Sequence, residues 1–201
     1  MASATLHATP RTTLGTRATA RLRDAGRVPA SLLGDGLPFV HLSVDRSALM
    51  PFLRTPHFQR ELLTLSVEGG ETVRVLPQEV QYDDLNSFNV EHINLRRWPR
   101  DSWRRPVKLR VPVMFVNEDA DPTVKMGGYV FDMFSDTGIA CRVRDPDHVP
   151  KFFLADFRKA VGGDLRLEHI DVPPGVTIQP SARTLQNGGN FLIGRAKRAR
   201  G

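Results

Sequence analysis

The stretch from Leu62 to Leu76, LLTLSVEGGETVRVL, decides the fold class of this chain. Its first half, Leu62–Glu68, alternates between two rows of side chains, which is typical of a β-strand with one buried face. Gly69-Gly70 forms a tight connection to the second half, Glu71–Leu76, so the stretch is predicted to be a β-hairpin.

Further short strands are predicted on both sides of the hairpin. A short helix ending at Gly26 follows the first of them, and a second helix over Ala48–Leu53 is predicted to be capped by Asp45 or Ser47. Short strands at this spacing favour a small closed or half-closed β-barrel over residues 1–97. The predicted strands are Thr5–Thr9, Arg27–Gly34, Phe39–Val44, Gln78–Tyr82 and Asn89–Leu95.

The second half of the chain is predicted to be a separate β-rich domain. Residues 98–106 hold both tryptophans and three arginines and are predicted to be a linker. Residues 107–182 contain further alternating stretches. Residues 183–201 are predicted to be a basic tail, which from Gln186 onward is expected to be partly disordered without a partner. The fold class is therefore mainly β, a small N-terminal β-barrel followed by a second β-rich domain with short helices. The strands predicted there are Lys108–Val116, Tyr129–Phe134, Ile139–Val143, Phe152–Phe157, Leu165–Leu167 and Val176–Ile178.

Charge is unevenly distributed along the 201 residues. The chain has 28 Lys and Arg against 22 Asp and Glu, a formal net charge of +6. Residues 1–23 contain four Arg and no acid, residues 94–110 contain seven basic residues and one acid, and residues 111–171 contain eleven acids. A genome rich in G and C raises the Arg count everywhere but does not cluster it. The clusters therefore favour a polyanionic partner.

Motifs for catalysis or metal binding are absent from the sequence. No histidines lie at metal-ligand spacing, and there is no phosphate-binding loop or nucleophile elbow. Cys141 lies in an alternating strand and is predicted to be a buried structural thiol. The acidic stretch Asn117–Asp121 lacks the spacing of a calcium loop and is predicted to be solvated. The sequence thus predicts no enzymatic activity, cofactor, metal or small-molecule substrate, and no apolar run is long enough to span a bilayer.

Two groups of motifs resemble one known family. The first runs from Ala8-Thr9-Pro10-Arg11 to Gly26-Arg27-Val28-Pro29-Ala30, and the second comprises Glu79-Val80-Gln81 and Glu91-His92-Ile93-Asn94-Leu95. In this order they resemble the 5S rRNA-binding large-subunit ribosomal protein that is number twenty-five in the bacterial scheme. Later motifs, including Gly127-Gly128 and Asp171–Val176, are similar to its long form, the general stress protein CTC family.

The resemblance implies a structural constituent of the large ribosomal subunit. Its six- or seven-stranded barrel would bind an irregular helix of 5S rRNA at the central protuberance. The implied partners are ribosomal RNA and neighbouring large-subunit proteins, with no membrane involved. Guanidinium, hydroxyl, amide and imidazole groups suit phosphates, riboses and base edges. The expected RNA-binding residues are Arg11, Gly15, Thr16, Arg17, Thr19, Arg21, Arg23, Arg27, Gln81, His92, Asn94 and Arg96.

Each of these residues has a plainer alternative. The arginines could be solvated surface charges, and His92 could pack at a strand edge. Departures from the family pattern, such as Thr16-Arg17 in place of Lys-Gly and Asn94 in place of Asp, favour a mitochondrial ribosome, with the bacterial cytoplasm as the alternative. The N-terminus is rich in Ser, Thr and Arg, as in transit peptides, but Thr5–Thr9 predicts folded structure.

A different class of function is a β-rich protein–protein adaptor whose C-terminal domain is the docking surface. The acid-rich residues 111–171 and the alternating stretch Val111–Phe115 would then form that surface.

Under the ribosomal interpretation, the tail has a role of its own. Its basic residues are expected to order against ribosomal RNA: Arg195, Lys197, Arg198 and Arg200.

Overall fold

The computed structural model describes residues 5–55, 58–83, 89–134, 137–179 and 189–198. The chain divides into two compact units, Met1–Arg105 and Pro106–Gly201. Within the described residues, no helix combines the length and the apolar content needed to cross a membrane.

The first unit is a closed six-stranded barrel. Its strands and α-helices are β1 Thr5–Pro10, α1 Thr16–Asp24, β2 Arg27–Leu33, β3 Val40–Asp45, α2 Arg46–Leu53, β4 Leu63–Val67, β5 Thr72–Tyr82 and β6 Val90–Arg97. The strand order around the barrel is β1-β3-β2-β6-β5-β4. Neighbouring strands are antiparallel except for two parallel pairs, β2 with β6 and β1 with β4, and the second of these closes the barrel.

Alternation along the strands fills the inside of the barrel. Leu6, Leu42, Leu65 and Ile93 come from four different strands and are fully buried in one apolar cluster. Each such side chain contributes about 1.5–3 kcal/mol when it is removed from water. The alternate positions on the same strands point outward, so the core fixes which side chains form the outer surface.

One local prediction of this unit is confirmed and another is wrong. Asp45 caps α2, as predicted, by accepting a hydrogen bond from the Ala48 amide at 3.2 Å. Gln78–Tyr82, however, is not a separate strand, because a register shift between Pro77 and Glu79 lets β5 continue past the proline. The segment predicted as a linker begins inside the barrel unit, where the buried Trp98 donates its backbone amide to Arg74 O at 2.8 Å.

The second unit is also rich in β-strands. Its strands and α-helix are β7 Val107–Val111, β8 Val113–Val116, α3 Pro122–Lys125, β9 Tyr129–Asp132, β10 Ile139–Val143, β11 Phe153–Asp156, β12 Asp164–Arg166, β13 Val176–Ile178 and β14 Leu192–Lys197. Among the described residues they form three small sheets, in which β10 lies between β13 and β7, β8 pairs in parallel with β11, and β14 lies between β12 and β9. The fold class predicted from the sequence, mainly β with a barrel followed by a second β-rich part, is confirmed.

The stretch Lys108–Val116, which was predicted to be one strand, forms parts of two strands. Pro112 has no amide hydrogen to donate, and the chain leaves one sheet there and enters another. Val111 and Val113 on either side of it are buried. The prediction that Val111–Phe115 forms an exposed docking surface is therefore wrong for these two valines, which lie in the core. Cys141 is buried, as predicted.

The expectation of disorder in the tail is wrong for residues 192–197. They form β14, the middle strand of a three-stranded sheet, and Ile193 is fully buried. Gly194 faces the Phe115 ring, and a Cβ at this position would lie 2.7 Å from that ring. Glycine here permits close packing rather than flexibility. Arg200, expected to order against RNA, lies outside the described residues.

Candidate nucleic-acid interface

Polar side chains form a continuous row across the outer surface of the barrel. Ser31 on β2 lies beside His41 on β3, and His92 on β6 lies beside Gln81 on β5. Arg11, directly after β1, donates its backbone amide to His41 O at 2.9 Å. We call Arg11, His41, Ser31, His92 and Gln81 the polar row. It contains three of the residues predicted from the sequence, contributed by distant parts of the chain.

His92 is held at the middle of the polar row. Its Nε2 lies 3.0 Å from Ser31 Oγ, a hydrogen bond. Burial lowers the pKa of His92, and the positive charge of Arg11 lowers it further. A neutral imidazole has one donor and one acceptor nitrogen, so with Nε2 bonded to Ser31 its Nδ1 is left to donate to or accept from a ligand, according to the tautomer.

Arg11 and His41 carry buried polar atoms without a partner. Arg11 Nε donates to Leu42 O at 3.1 Å, but Arg11 Nη1 is buried and makes no hydrogen bond to any described residue. His41 Nδ1 is in the same situation, and the Phe39 ring packs against His41 at a centroid distance of 4.7 Å. Burial lowers the pKa of Arg11. A buried donor without an acceptor costs about 1–3 kcal/mol, so these atoms are suited to an external partner.

Sequence reasoning did not identify His41. His41 lies on a predicted strand between Val40 and Leu42, two apolar residues that face the core. Alternation along the strand therefore turns His41 outward, and this was the available signal. That it borders Ser31 and Arg11 follows only from strand pairing.

Helix α1 presents the predicted basic residues to solvent. Gly15 precedes the helix with a φ of 102°, a conformation that favours glycine, and Thr16, Arg17 and Arg21 are exposed. The Thr19 hydroxyl donates back to Thr16 O at 3.0 Å, so its hydrogen is used within the helix. None of the nine residues of α1 is buried, which leaves one side of the helix available to a ligand.

Two other predicted residues are engaged with neighbouring side chains. Arg23 Nη1 pairs with Glu91 Oε1 on β6 at 3.0 Å, and Asn94 Nδ2 donates to Glu79 Oε2 at 3.2 Å. Both pairs are at least partly exposed, so they are open to exchange with a ligand.

Arg27 uses its Nε and Nη2 groups to bind neighbouring strands of the barrel. Its Nε donates to Ser43 Oγ at 3.0 Å, and its Nη2 donates to Thr9 Oγ1 at 3.0 Å and to Ser43 O at 2.9 Å. These bonds join β1, β2 and β3. Arg96, the last predicted residue, is exposed further along β6, beside Leu33 rather than within the polar row.

The chain is similar to ribosomal proteins. The model of the ribosomal L25p family matches residues 6–95, which span most of the barrel. The large ribosomal subunit protein bL25 of Bordetella avium is 31% identical over 85% of this chain and 84% of its own length. That of Novosphingobium aromaticivorans is 33% identical over 87% of this chain and 83% of its own length.

These relatives are bacterial. The mitochondrial origin favoured from the sequence is therefore not supported, and the bacterial alternative is preferred. Divergence at positions such as Thr16, Arg17 and Asn94 does not require an organellar source, since bacterial relatives are themselves only about one-third identical to this chain.

Proposed function

Because the chain belongs to the ribosomal L25p family, we propose that it binds 5S rRNA at the central protuberance of the large ribosomal subunit. A protein of this family is a structural, non-enzymatic constituent of that subunit. The proposal concerns the RNA that it binds and the residues that bind it. The bacterial relatives favour a ribosome of the bacterial cytoplasm, where other large-subunit proteins are its neighbours.

The observation that carries the proposal is that two buried atoms within the polar row, Arg11 Nη1 and His41 Nδ1, have no partner among the described residues. A ribose 2′-hydroxyl both donates and accepts hydrogen bonds, so it can satisfy Arg11 and either tautomer of His41. DNA lacks this group. An irregular RNA helix with a widened groove would bring such hydroxyls and base edges to the polar row.

Helix α1 supplies the charge for the same RNA. Arg17 and Arg21 are exposed and make no ion pair among the described residues, so their guanidinium groups are available to phosphates. Gly15, without a side chain, lets the backbone before the helix approach the RNA. The proposed contacts are Arg11, Gly15, Thr16, Arg17, Thr19, Arg21, Arg23, His41, Gln81, His92, Asn94 and Arg96, with Arg27 holding the surface behind them.

Binding of the full chain to transcribed 5S rRNA tests this function. We expect tighter binding to 5S rRNA than to a regular RNA duplex of equal length, with an affinity that falls as salt rises. Arg21→Ala should weaken binding and reduce the salt slope by about one. Arg144→Ala, which removes an exposed charge from the second unit, serves as the control.

His41→Ala provides a more specific test of the polar row. It should reduce the preference for RNA over a DNA of the same sequence, since the 2′-hydroxyl is the group that His41 is proposed to meet. Equal affinity of the wild-type chain for 5S rRNA and the regular duplex would contradict the proposed function.

A further inference from the structure

A three-stranded sheet of the second unit exposes apolar side chains beside basic ones. On β9, Tyr129 and Phe131 point to the same side and are 51% and 42% exposed, and Met133, directly after the strand, is 46% exposed. On the neighbouring strand β14, Arg195 lies opposite Phe131 and Lys197 lies opposite Tyr129. We call these five residues the aromatic–basic face.

Packing within the unit does not account for this face. The opposite side of the sheet carries the contacts with the core, where Leu165 is fully buried and its partner Gly194 adjoins the Phe115 ring. The large side chains on the outer side thus contribute little to the core. A group of exposed apolar residues on one surface marks an interaction site.

We propose that the aromatic–basic face is a second RNA-contact surface, which stacks unpaired bases of ribosomal RNA on Tyr129 and Phe131. This inference rests on the proposed ribosomal function but not on 5S rRNA as the ligand. Aromatic side chains on a sheet, flanked by cations, form the arrangement that binds single-stranded nucleic acid without reading its sequence.

The charges of the face suit a polyanion, and the aromatic rings between them favour RNA over an acidic protein segment. Asp164, opposite Arg195 on the neighbouring strand, is already paired by the fork of Arg195, with Arg195 Nη2 at 2.7 Å from Asp164 Oδ2. The pairing holds the Arg195 guanidinium against the sheet, next to the aromatic rings. Lys197 and the exposed Arg198 add unneutralised charge. An RNA segment would meet both the rings and the cations at once, with its bases stacked on the rings and its phosphates beside the cations.

Lys197 occupies the place where a base would stack. Its Nζ lies 3.8 Å from the centroid of the Phe131 ring, a cation–π contact. At an exposed site such a contact changes an equilibrium by only about twofold to fivefold, whereas stacking one base changes it by about fivefold to 150-fold. A base therefore displaces the Lys197 ammonium group. The lysine side chain is long enough to turn this group towards the adjoining phosphate.

The test uses the full chain and a labelled single-stranded RNA of about twelve nucleotides without self-complementarity. The double variant Tyr129→Leu with Phe131→Leu keeps the apolar surface but removes the aromatic rings. We expect it to bind the oligonucleotide at least about fivefold more weakly than the wild type at the same salt concentration. Lys197→Gln should lower the salt slope by about 0.7, the value for one phosphate contact to a single strand.

Controls separate this inference from the proposed function. Leu154→Ala removes an apolar side chain that is 47% exposed on another sheet and should leave oligonucleotide binding unchanged. Arg21→Ala should weaken 5S rRNA binding while oligonucleotide binding persists. If the double leucine variant binds the oligonucleotide as the wild type does, the inference is overturned, and the face is left to a protein partner. Loss of 5S rRNA specificity alone would overturn only the proposed function.

Discussion

Replacing Arg27 with methionine should destabilise the barrel without removing a contact to RNA. The substitution deletes three hydrogen bonds of 2.9–3.0 Å that link Arg27 to Thr9 and Ser43. Hydrogen bonds from a charged donor contribute about 1.5–3 kcal/mol each, but these three share one side chain and are not additive. Water reaches part of the site and replaces some of them. We expect the free energy of unfolding to fall by about 2–4 kcal/mol.

The assay compares stability and RNA binding in the same variants. Arg27→Met should lower the melting temperature while leaving the salt slope of 5S rRNA binding unchanged, because its guanidinium is engaged within the barrel. Arg21→Ala should do the reverse, since Arg21 is exposed on α1. Arg27→Lys retains the charge but not the fork, so it should resemble Arg27→Met in stability.

The opposite pattern would refute this reasoning. If Arg27→Met melts as the wild type does and its salt slope falls by about one, Arg27 contacts a phosphate, as expected from the sequence alone.

Two further predictions concern His92 and Gly128. The lowered pKa of His92 means that acid favours unfolding: stability is complete above about pH 6.5 and falls as the pH drops from there to the folded pKa, because the unfolded state takes up the proton more readily. Between about pH 7.5 and about pH 5, a range that brackets the ordinary histidine pKa, the melting temperature of His92→Gln should therefore fall less than that of the wild type, and an equal fall would contradict this expectation. Gly128→Ala places a Cβ 2.5 Å from Lys197 O and 2.6 Å from Thr123 O, so thermal unfolding should reveal a loss of at least about 1–3 kcal/mol, whereas unchanged melting would show that this backbone yields easily.

The strands of the barrel were largely predictable from alternation. The hairpin of β4 and β5 lies where Gly69-Gly70 placed it, and the predicted first three strands match β1, β2 and β3 to within one or two residues. Prediction failed where one residue changed the path of the chain. Pro112 divided a continuous pattern between two sheets, and the apolar pair Leu192 and Ile193 made a strand in a tail otherwise rich in Gly and Arg.

The candidate interface was predictable in composition but not in detail. Arg11 and His92 were expected at an RNA surface, and the structure places both in one row. Arg27 looked equivalent to Arg21 in the sequence. Their difference depends on Ser43 and Thr9, which reach Arg27 only after β1 and β3 have paired.

The β character of the chain, its buried and outward positions and its basic segments can all be read from the sequence, because alternation and charge are properties of neighbouring residues. Which outward groups are satisfied and which are left without a partner depends on how the strands pair. Arg27 Nε and Nη2 have partners, whereas Arg11 Nη1 and His41 Nδ1 have none among the described residues. The physical reason is that hydrogen-bond partners on a barrel come from adjacent strands, which are distant in the chain.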